Sequence, residues 1–140
     1  MPQDHSTGFG RRGLLGAMGA AGVLATPNFA ISQSRQPIKV GVPTILSGRV
    51  AQLGISSRNA MQMEVDRFNA AGGLDGRTIE LVVRDSRGTP AESSRLVREM
   101  ISSDGCEFIL DAEASSGGFA VHEVVRETGT LTMHVNSETS

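Results

Sequence analysis

The residues best suited to chemistry lie in the segment DAEASSGG, residues 111–118, where two serines precede two glycines. The apolar run before it predicts a strand over 108–110, and valines at helical spacing after it predict a helix over 119–128. At such a strand-to-helix junction, the hydroxyls of Ser115 and Ser116 and the N–H groups of the helix start would favour an anion. A serine N-cap followed by glycines that pack against a sheet describes the same pattern, so the residues alone leave both roles open.

A different chemistry would make Ser115 or Ser116 a nucleophile and His122 its base, as in a serine hydrolase. No G-x-S-x-G elbow surrounds either serine, and His122 lies inside the predicted helix without an evident orienting carboxylate. Neither G-x-G-x-x-G nor a P-loop lysine follows a strand. A lone histidine such as His134, which we expect to pack beside its strand, lacks the cluster that a metal site needs. We therefore predict no enzymatic activity, no cofactor and no metal.

The elements that must position these residues alternate between strands and helices. In residues 64–85, a helical pattern ends at a glycine pair, and the run IELVV that follows is typical of a strand buried on both faces of a parallel sheet. The next helix should start at Pro90, with Thr89 and Glu92 as a capping box. We predict an α/β fold with a parallel sheet and flanking helices: strands over 38–42, 78–84, 108–110 and 131–135, and helices over 55–71, from 90 to the Asp-Gly turn at 104–105, and over 119–128.

Length and composition restrict the chain further. With 140 residues, of which 39% are hydrophobic, it can bury one core and is too short for two domains. A net charge of −2 without a basic run makes nucleic acid an unexpected partner. The single cysteine, Cys106, stands beside an apolar run and is expected to be a small buried hydrophobe.

Residues 1–30 have the features of an export signal. Arg11 and Arg12 precede a weakly apolar segment that ends near Ala25, and Ala30 offers a small-residue processing site. The apolar segment, about a dozen residues, is too short to span a bilayer. It resembles a twin-arginine signal, although an ordinary secretory signal remains the alternative. No cysteine stands near the processing site, so we expect no lipid or other direct membrane anchor and a periplasmic protein, with residues 31–37 as a polar segment before the first strand.

The stretch NAAGGLDGRTIELVVRD, residues 69–85, resembles the same stretch of the branched-chain amino-acid binding proteins, and the similarity runs from Ile38 to about Asn136. Those proteins are periplasmic receptors of ABC importers, with a type I periplasmic-binding fold of two α/β lobes. The resemblance implies that residues 38–140 form the first part of the N-terminal lobe, which binds a small carboxylate solute for an ABC permease. A ligand-sensing domain of the same fold is the alternative. Without a second lobe to cover the ligand, we expect weak binding.

The resemblance also implies which residues meet the ligand. Ser115 and Ser116 match a loop that binds the α-carboxylate, although Asp111 stands where the family usually has a glycine. Leu53, in the predicted loop after the first strand, stands where amino-acid receptors often carry an aromatic residue. An aliphatic ligand wall, or a different ligand, follows from Leu53.

The loop after the fourth strand supplies the remaining expected contacts. Asn136 and Ser137 match family residues that meet the ligand's ammonium or carboxylate. Glu138, beside them, is expected either to pair with an ammonium or to repel a carboxylate. Asp85, at the carboxyl end of the second strand, faces the same edge, but we expect it mainly to hold the turn that follows it.

Overall fold

A parallel sheet of four strands with intervening helices makes up residues 36–136, the part of the chain that the computed structural model describes. The predicted parallel α/β fold is confirmed. The strands lie in the order β2-β1-β3-β4. In chain order the elements are β1 (Ile38–Thr44), α1 (Ala51–Ala70), β2 (Ile79–Asp85), α2 (Pro90–Ser102), β3 (Phe108–Asp111), α3 (Ser115–Thr128) and β4 (Leu131–His134).

β1 is the strand at which the chain changes direction across the sheet. The chain passes from β1 to β2 on one side and then returns to β3 on the other side of β1. Since crossovers between parallel strands are right-handed, α1 lies on one face of the sheet, and α2 and α3 lie on the other. In open sheets of this kind, ligands bind outside the carboxyl ends of the strands where the order reverses, which here is between β1 and β3.

The main core lies between the sheet and the pair α2 and α3. Val97 and Met100 from α2 and Ile109 from β3 are fully buried in it. Cys106 belongs to the same cluster, so its predicted role as a small buried hydrophobe is confirmed, and burial raises its pKa to about 11. At Gly41 a Cβ atom would lie 2.7 Å from Ile109 Cδ1 and 2.9 Å from Met100 Sδ, so glycine lets α2 pack closely on β1.

The prediction that the second strand is buried on both faces is wrong. β2 is an edge strand of the described sheet, and its residues remain partly exposed. The apolar face predicted for the first helix is also covered less than expected: Val65 is buried, whereas 39% of Phe68 is exposed. An edge strand offers α1 a narrower surface than a central strand, which explains the incomplete burial of its apolar face.

Two helices begin earlier than predicted, and both contain glycines in their first turns. α1 starts at Ala51 rather than at residue 55, and α3 starts at Ser115 rather than at residue 119. A Cβ atom at Gly54 would lie 2.0 Å from the carbonyl oxygen of Ile45. One at Gly117 would lie 2.8 Å from Oε2 of Glu113, so glycine is required for this packing. Leu53, Ser115 and Ser116 therefore lie in first helical turns rather than in loops.

The second helix starts at Pro90 as predicted, but the capping box is wrong. Thr89 makes no side-chain cap, and its Oγ1 instead donates to the carbonyl oxygen of Ser86 at 2.9 Å. Glu92 turns away from the helix start and pairs with Arg95 at 2.7 Å. A nearby arginine one turn along the helix offers Glu92 a stronger partner than a backbone amide does.

Several expectations concern residues outside the described range. They include the export signal over residues 1–30, most of the polar segment over 31–37, and the ligand contacts expected of Ser137 and Glu138. Within the described range, none of the helices combines the length and apolar character needed to cross a bilayer.

Candidate functional site

The carboxyl ends of three strands are fastened together at one edge of the sheet. Thr44, the last residue of β1, is fully buried, and its hydroxyl donates to the carbonyl oxygen of Ala112 at 3.1 Å. The N–H group of Ser86, just beyond β2, donates to the carbonyl oxygen of Thr44 at 2.9 Å. The segments that follow β1, β2 and β3 are therefore adjacent, as the change in strand order predicts.

Ser115 and Ser116 lie at this edge, in the first turn of α3. Ala114 is the N-cap, with extended backbone and no side-chain cap, so the alternative that a serine caps the helix is wrong. Ser116 is exposed, Ser115 is half-buried, and the first intrahelical bond joins the Gly118 N–H group to the Ala114 carbonyl oxygen at 2.9 Å. The first N–H groups of a helix generally lack acceptors within the helix, and the helix dipole adds positive potential there. This geometry suits a negatively charged group.

Leu53 lies in the first turn of α1, on the other side of the switch between β1 and β3. Its side chain is 47% exposed. The next residue, Gly54, is buried so tightly that a Cβ atom would lie 2.0 Å from the carbonyl oxygen of Ile45. The start of α1 is thus held against the end of β1. The apolar side chain of Leu53 therefore lies near the same edge of the sheet as the start of α3.

Asn136 follows β4 and is already engaged by other parts of the chain. Its Nδ2 donates to the Ser57 hydroxyl at 2.9 Å and to the carbonyl oxygen of Ala112 at 3.1 Å. These bonds join α1, the segment after β3 and the segment after β4. Asn136 therefore brings the site elements together, and its amide has these partners before any ligand arrives. Ser137 and Glu138, which follow it, are outside the described range.

Asp85 holds the turn after β2, as predicted. Its Oδ1 accepts hydrogen bonds from the N–H groups of Arg87 and Leu46, both at 2.9 Å. Burial alone would raise the pKa of this carboxyl, but the bonds from Leu46, Ser47 and Arg87 outweigh that effect and hold the pKa below its ordinary value. Asp85 thereby ties the loop after β1 to the turn after β2.

Replacing Asp85 with alanine should lower the free energy of unfolding by about 1 to 2 kcal/mol at neutral pH, because two backbone donors lose a charged acceptor. Since the folded state lowers this pKa, the contribution is present above the ordinary aspartate pKa of about 4 and is lost as the pH falls through the folded value. Urea titrations from neutral to acidic pH would measure it. Asp85→Asn keeps one acceptor oxygen, so its free energy of unfolding should fall by less than that of Asp85→Ala. An equal loss in both variants would contradict this role.

Two buried carboxyl groups were not predicted as part of the site. Asp111 is fully buried, accepts a hydrogen bond from the N–H group of Glu113 at 3.0 Å, and contacts Nδ1 of His134. Glu113 is also fully buried and lies beside the first turn of α3. The sequence feature that points to these buried carboxyl groups is the presence of two acidic residues directly after an apolar strand. His134, the last residue of β4, is exposed and contacts Asp111 rather than being packed beside the strand.

The residues of the hydrolase alternative are not organised for catalysis. His122 is exposed on α3, and its ring centroid lies 6.0 Å from that of His134. Among the described residues, no carboxylate forms a hydrogen bond or ion pair with His122, so nothing there orients it as a base. No group of three His, Cys, Asp or Glu side chains in residues 36–136 is arranged to hold a metal ion.

Comparison with known proteins identifies the family. A family model described as periplasmic binding protein matches residues 37–140. Leu/Ile/Val-binding protein homolog 4 of Brucella abortus is 30% identical over 98 residues, which are 70% of this chain and 23% of that protein. The chain thus spans about a quarter of the length of this relative.

Solved structures agree with this match. A substrate-binding protein of a branched-chain amino acid transporter from Streptococcus pneumoniae, in complex with isoleucine, is similar at a TM-score of 0.71 and 25% identity, covering 74% of this chain and 30% of that one. A putative branched-chain amino acid ABC transporter protein from Silicibacter pomeroyi is similar at 0.65 and 32% identity, over 71% of this chain and 25% of that one. The chain therefore belongs to the periplasmic binding protein family.

Proposed function

We propose that this chain forms part of an extracytoplasmic receptor of an ABC importer and contributes the surface that binds the carboxylate of a small solute, such as a branched-chain amino acid. The observation that carries the proposal is the position of Ser115 and Ser116 in the first turn of α3, at the edge where the strand order reverses. The family and the names of the relatives support a solute-binding role.

The energetics of this edge suit a carboxylate without a basic residue. The segment from residue 111 to 118 contains no Lys or Arg. The start of a helix favours a negative charge by about 0.3 to 1 kcal/mol when it is exposed. A hydrogen bond from a hydroxyl to a charged group adds about 1.5 to 3 kcal/mol. Together these contributions can orient a carboxylate while the rest of the solute meets other groups.

Other residues at the edge complete the proposed contacts. The exposed side chain of Leu53 offers apolar surface to an aliphatic solute. We assign Ser137 and Glu138, which follow Asn136, to the ammonium end of the solute, where a carboxylate side chain is favourable. The names of relatives that bind leucine, isoleucine and valine support an aliphatic amino acid over other carboxylates.

A panel of matched solutes tests this function. Leucine, isoleucine and valine should shift amide signals of the chain in NMR titrations at millimolar concentration. Isoamylamine, which is leucine without its carboxylate, should shift them far less, because the helix start then has no anion to bind. Equal responses to leucine and isoamylamine would contradict the proposed carboxylate site.

We also propose that residues 1–30 direct export, which would place the receptor in the periplasm beside an ABC permease. The paired residues Arg11 and Arg12 before a short apolar segment support a twin-arginine route. Replacing both arginines with lysine should leave the precursor in the cytoplasm, as a fractionation immunoblot would show. Equal export of both forms would contradict this route. Genes for a permease and an ATPase beside this one would favour an importer over a sensor.

A further inference from the structure

Glu113 occupies an unusual position beside the first turn of α3. Its side chain is fully buried, and within the described part of the chain neither carboxyl oxygen has a hydrogen-bond partner. A Cβ atom at Gly117 would lie 2.8 Å from Oε2 of Glu113. The carboxyl group therefore fills the space that a side chain on this turn of α3 would otherwise take. A buried carboxyl without partners is costly as an anion, so its surroundings decide its charge.

The groups around Glu113 favour its neutral form. Asp111 faces it from β3 and Asp85 from the end of β2, and both are acidic. Ser86 faces it from the turn after β2 and Ser93 from α2, and their hydroxyls favour the charged form. Burial is the largest influence and acts with the two carboxylates, so the pKa of Glu113 lies above its ordinary value.

The hydroxyl groups of both serines also take part in other hydrogen bonds. The hydroxyl of Ser93 donates to the carbonyl oxygen of Thr89 at 3.1 Å, so its proton already has an acceptor. The hydroxyl oxygen of Ser86 accepts from the N–H group of Gly88 at 3.1 Å. The Ser93 proton is therefore already used, and the donation left to Ser86 does not outweigh burial, so the pKa of Glu113 stays raised.

We propose that Glu113 is a positioning residue whose buried carboxyl group, packed beside Gly117, fixes the first turn of α3 against α2 and the turn after β2. Ser115 and Ser116 lie in that same turn of α3. By fixing the positions of these two serines, Glu113 affects a bound solute. This consequence rests on the function proposed above. Its effect on the order of α3 does not depend on any solute.

The pH dependence follows from the direction of the pKa shift. Because folding raises the pKa of Glu113, the unfolded chain releases this proton at a lower pH than the folded chain does. The contribution of Glu113 to the free energy of unfolding is complete below the ordinary glutamate pKa. It declines as the pH rises through the pKa of Glu113 in the folded chain. Above that value, a carboxylate would lie buried beside Asp111 and Asp85, and the start of α3 should loosen.

Comparison of Glu113→Gln with the parent chain tests this role, because glutamine has a similar shape and cannot ionise. Between about pH 5 and about pH 9, the thermal midpoint of the parent should fall by about 5 °C or more relative to that of the variant. Glu80→Gln, at an exposed position on β2, should keep the parent's profile. A difference between parent and Glu113→Gln that stays constant with pH would overturn the proposal.

Hydrogen exchange separates positioning from simple packing. At about pH 9, amides 114–118 should exchange faster in the parent than in Glu113→Gln, and at about pH 5 the two chains should match. Glu113→Ala, which leaves a cavity, should exchange faster than the glutamine variant at both pH values. Equal exchange in parent and Glu113→Gln at the higher pH would show that Glu113 only fills space. Neither measurement uses a solute, so failure of the proposed function would leave both results interpretable.

Discussion

Replacing Gly54 with alanine should destabilise the chain by about 3 kcal/mol, although alanine in place of glycine normally stabilises a helix by about 1 kcal/mol. The added Cβ atom would lie 2.0 Å from the carbonyl oxygen of Ile45 and 2.6 Å from Oγ1 of Thr44. Because the nearest atom belongs to the backbone, α1 would have to move away from the end of β1. Denaturant titration of the variant measures this loss.

The exposed Ser56→Ala on the same helix is the matched control, since it removes only a surface hydrogen bond from Gln52. Its stability should stay within about 0.5 kcal/mol of the parent's. The Gly54→Ala substitution should also move Leu53. At temperatures where the variant remains folded, it should therefore bind the solute more weakly than its loss of stability alone explains. A Gly54→Ala chain as stable as the parent would show that α1 does not pack on β1 in this way.

Alanine at both Ser115 and Ser116 should weaken binding of a carboxylate solute by about ten- to a hundredfold, which corresponds to about 1.4 to 2.8 kcal/mol. The hydroxyls supply hydrogen bonds to the carboxylate, whereas the backbone N–H groups and the helix dipole remain. Because Ala114 rather than a serine is the N-cap, the free energy of unfolding should fall by less than about 1 kcal/mol. Calorimetry or NMR titration gives the affinity, and thermal unfolding gives the stability.

Ser102 and Ser103, exposed at the end of α2 and away from the sheet edge, offer a matched double control. Their replacement by alanine should leave solute affinity unchanged. If the Ser115 and Ser116 double variant binds its solute as tightly as the parent, the serines have no part in binding, and the carboxylate assignment of this turn fails.

The local pattern predicted the elements well but not where two helices begin. Apolar spacing located every strand and helix to within a few residues, because that spacing reflects which side of an element is buried. The predicted helices began just after Gly54 and Gly118, and glycine weakens a helical pattern. Gly54 instead leaves room for the carbonyl oxygen of Ile45, which directly follows β1, and Gly117 leaves room for the side chain of Glu113, one helical turn earlier.

The site was predictable in part for the same reason. Ser115 and Ser116 were chosen as ligand contacts from their place between a strand and a helix, which is local information, and that role stays a prediction. The partners of Asn136 come from α1 and from the segment after β3, so only the strand order reveals that its amide is engaged. The burial of Glu113 likewise depends on the approach of α2 and α3, which the two acidic residues after β3 do not reveal by themselves.

An amide-resolved NMR titration of the chain with leucine, with isoamylamine as the matched control, tests the central claim most directly. A carboxylate held at the start of α3 should shift the amide signals of residues 115–118 more than those elsewhere, and only with leucine. Signals near Leu53 should follow, since its side chain lies near the same edge. Leucine-induced shifts that avoid residues 115–118, or that isoamylamine reproduces, would contradict a carboxylate site at the start of α3.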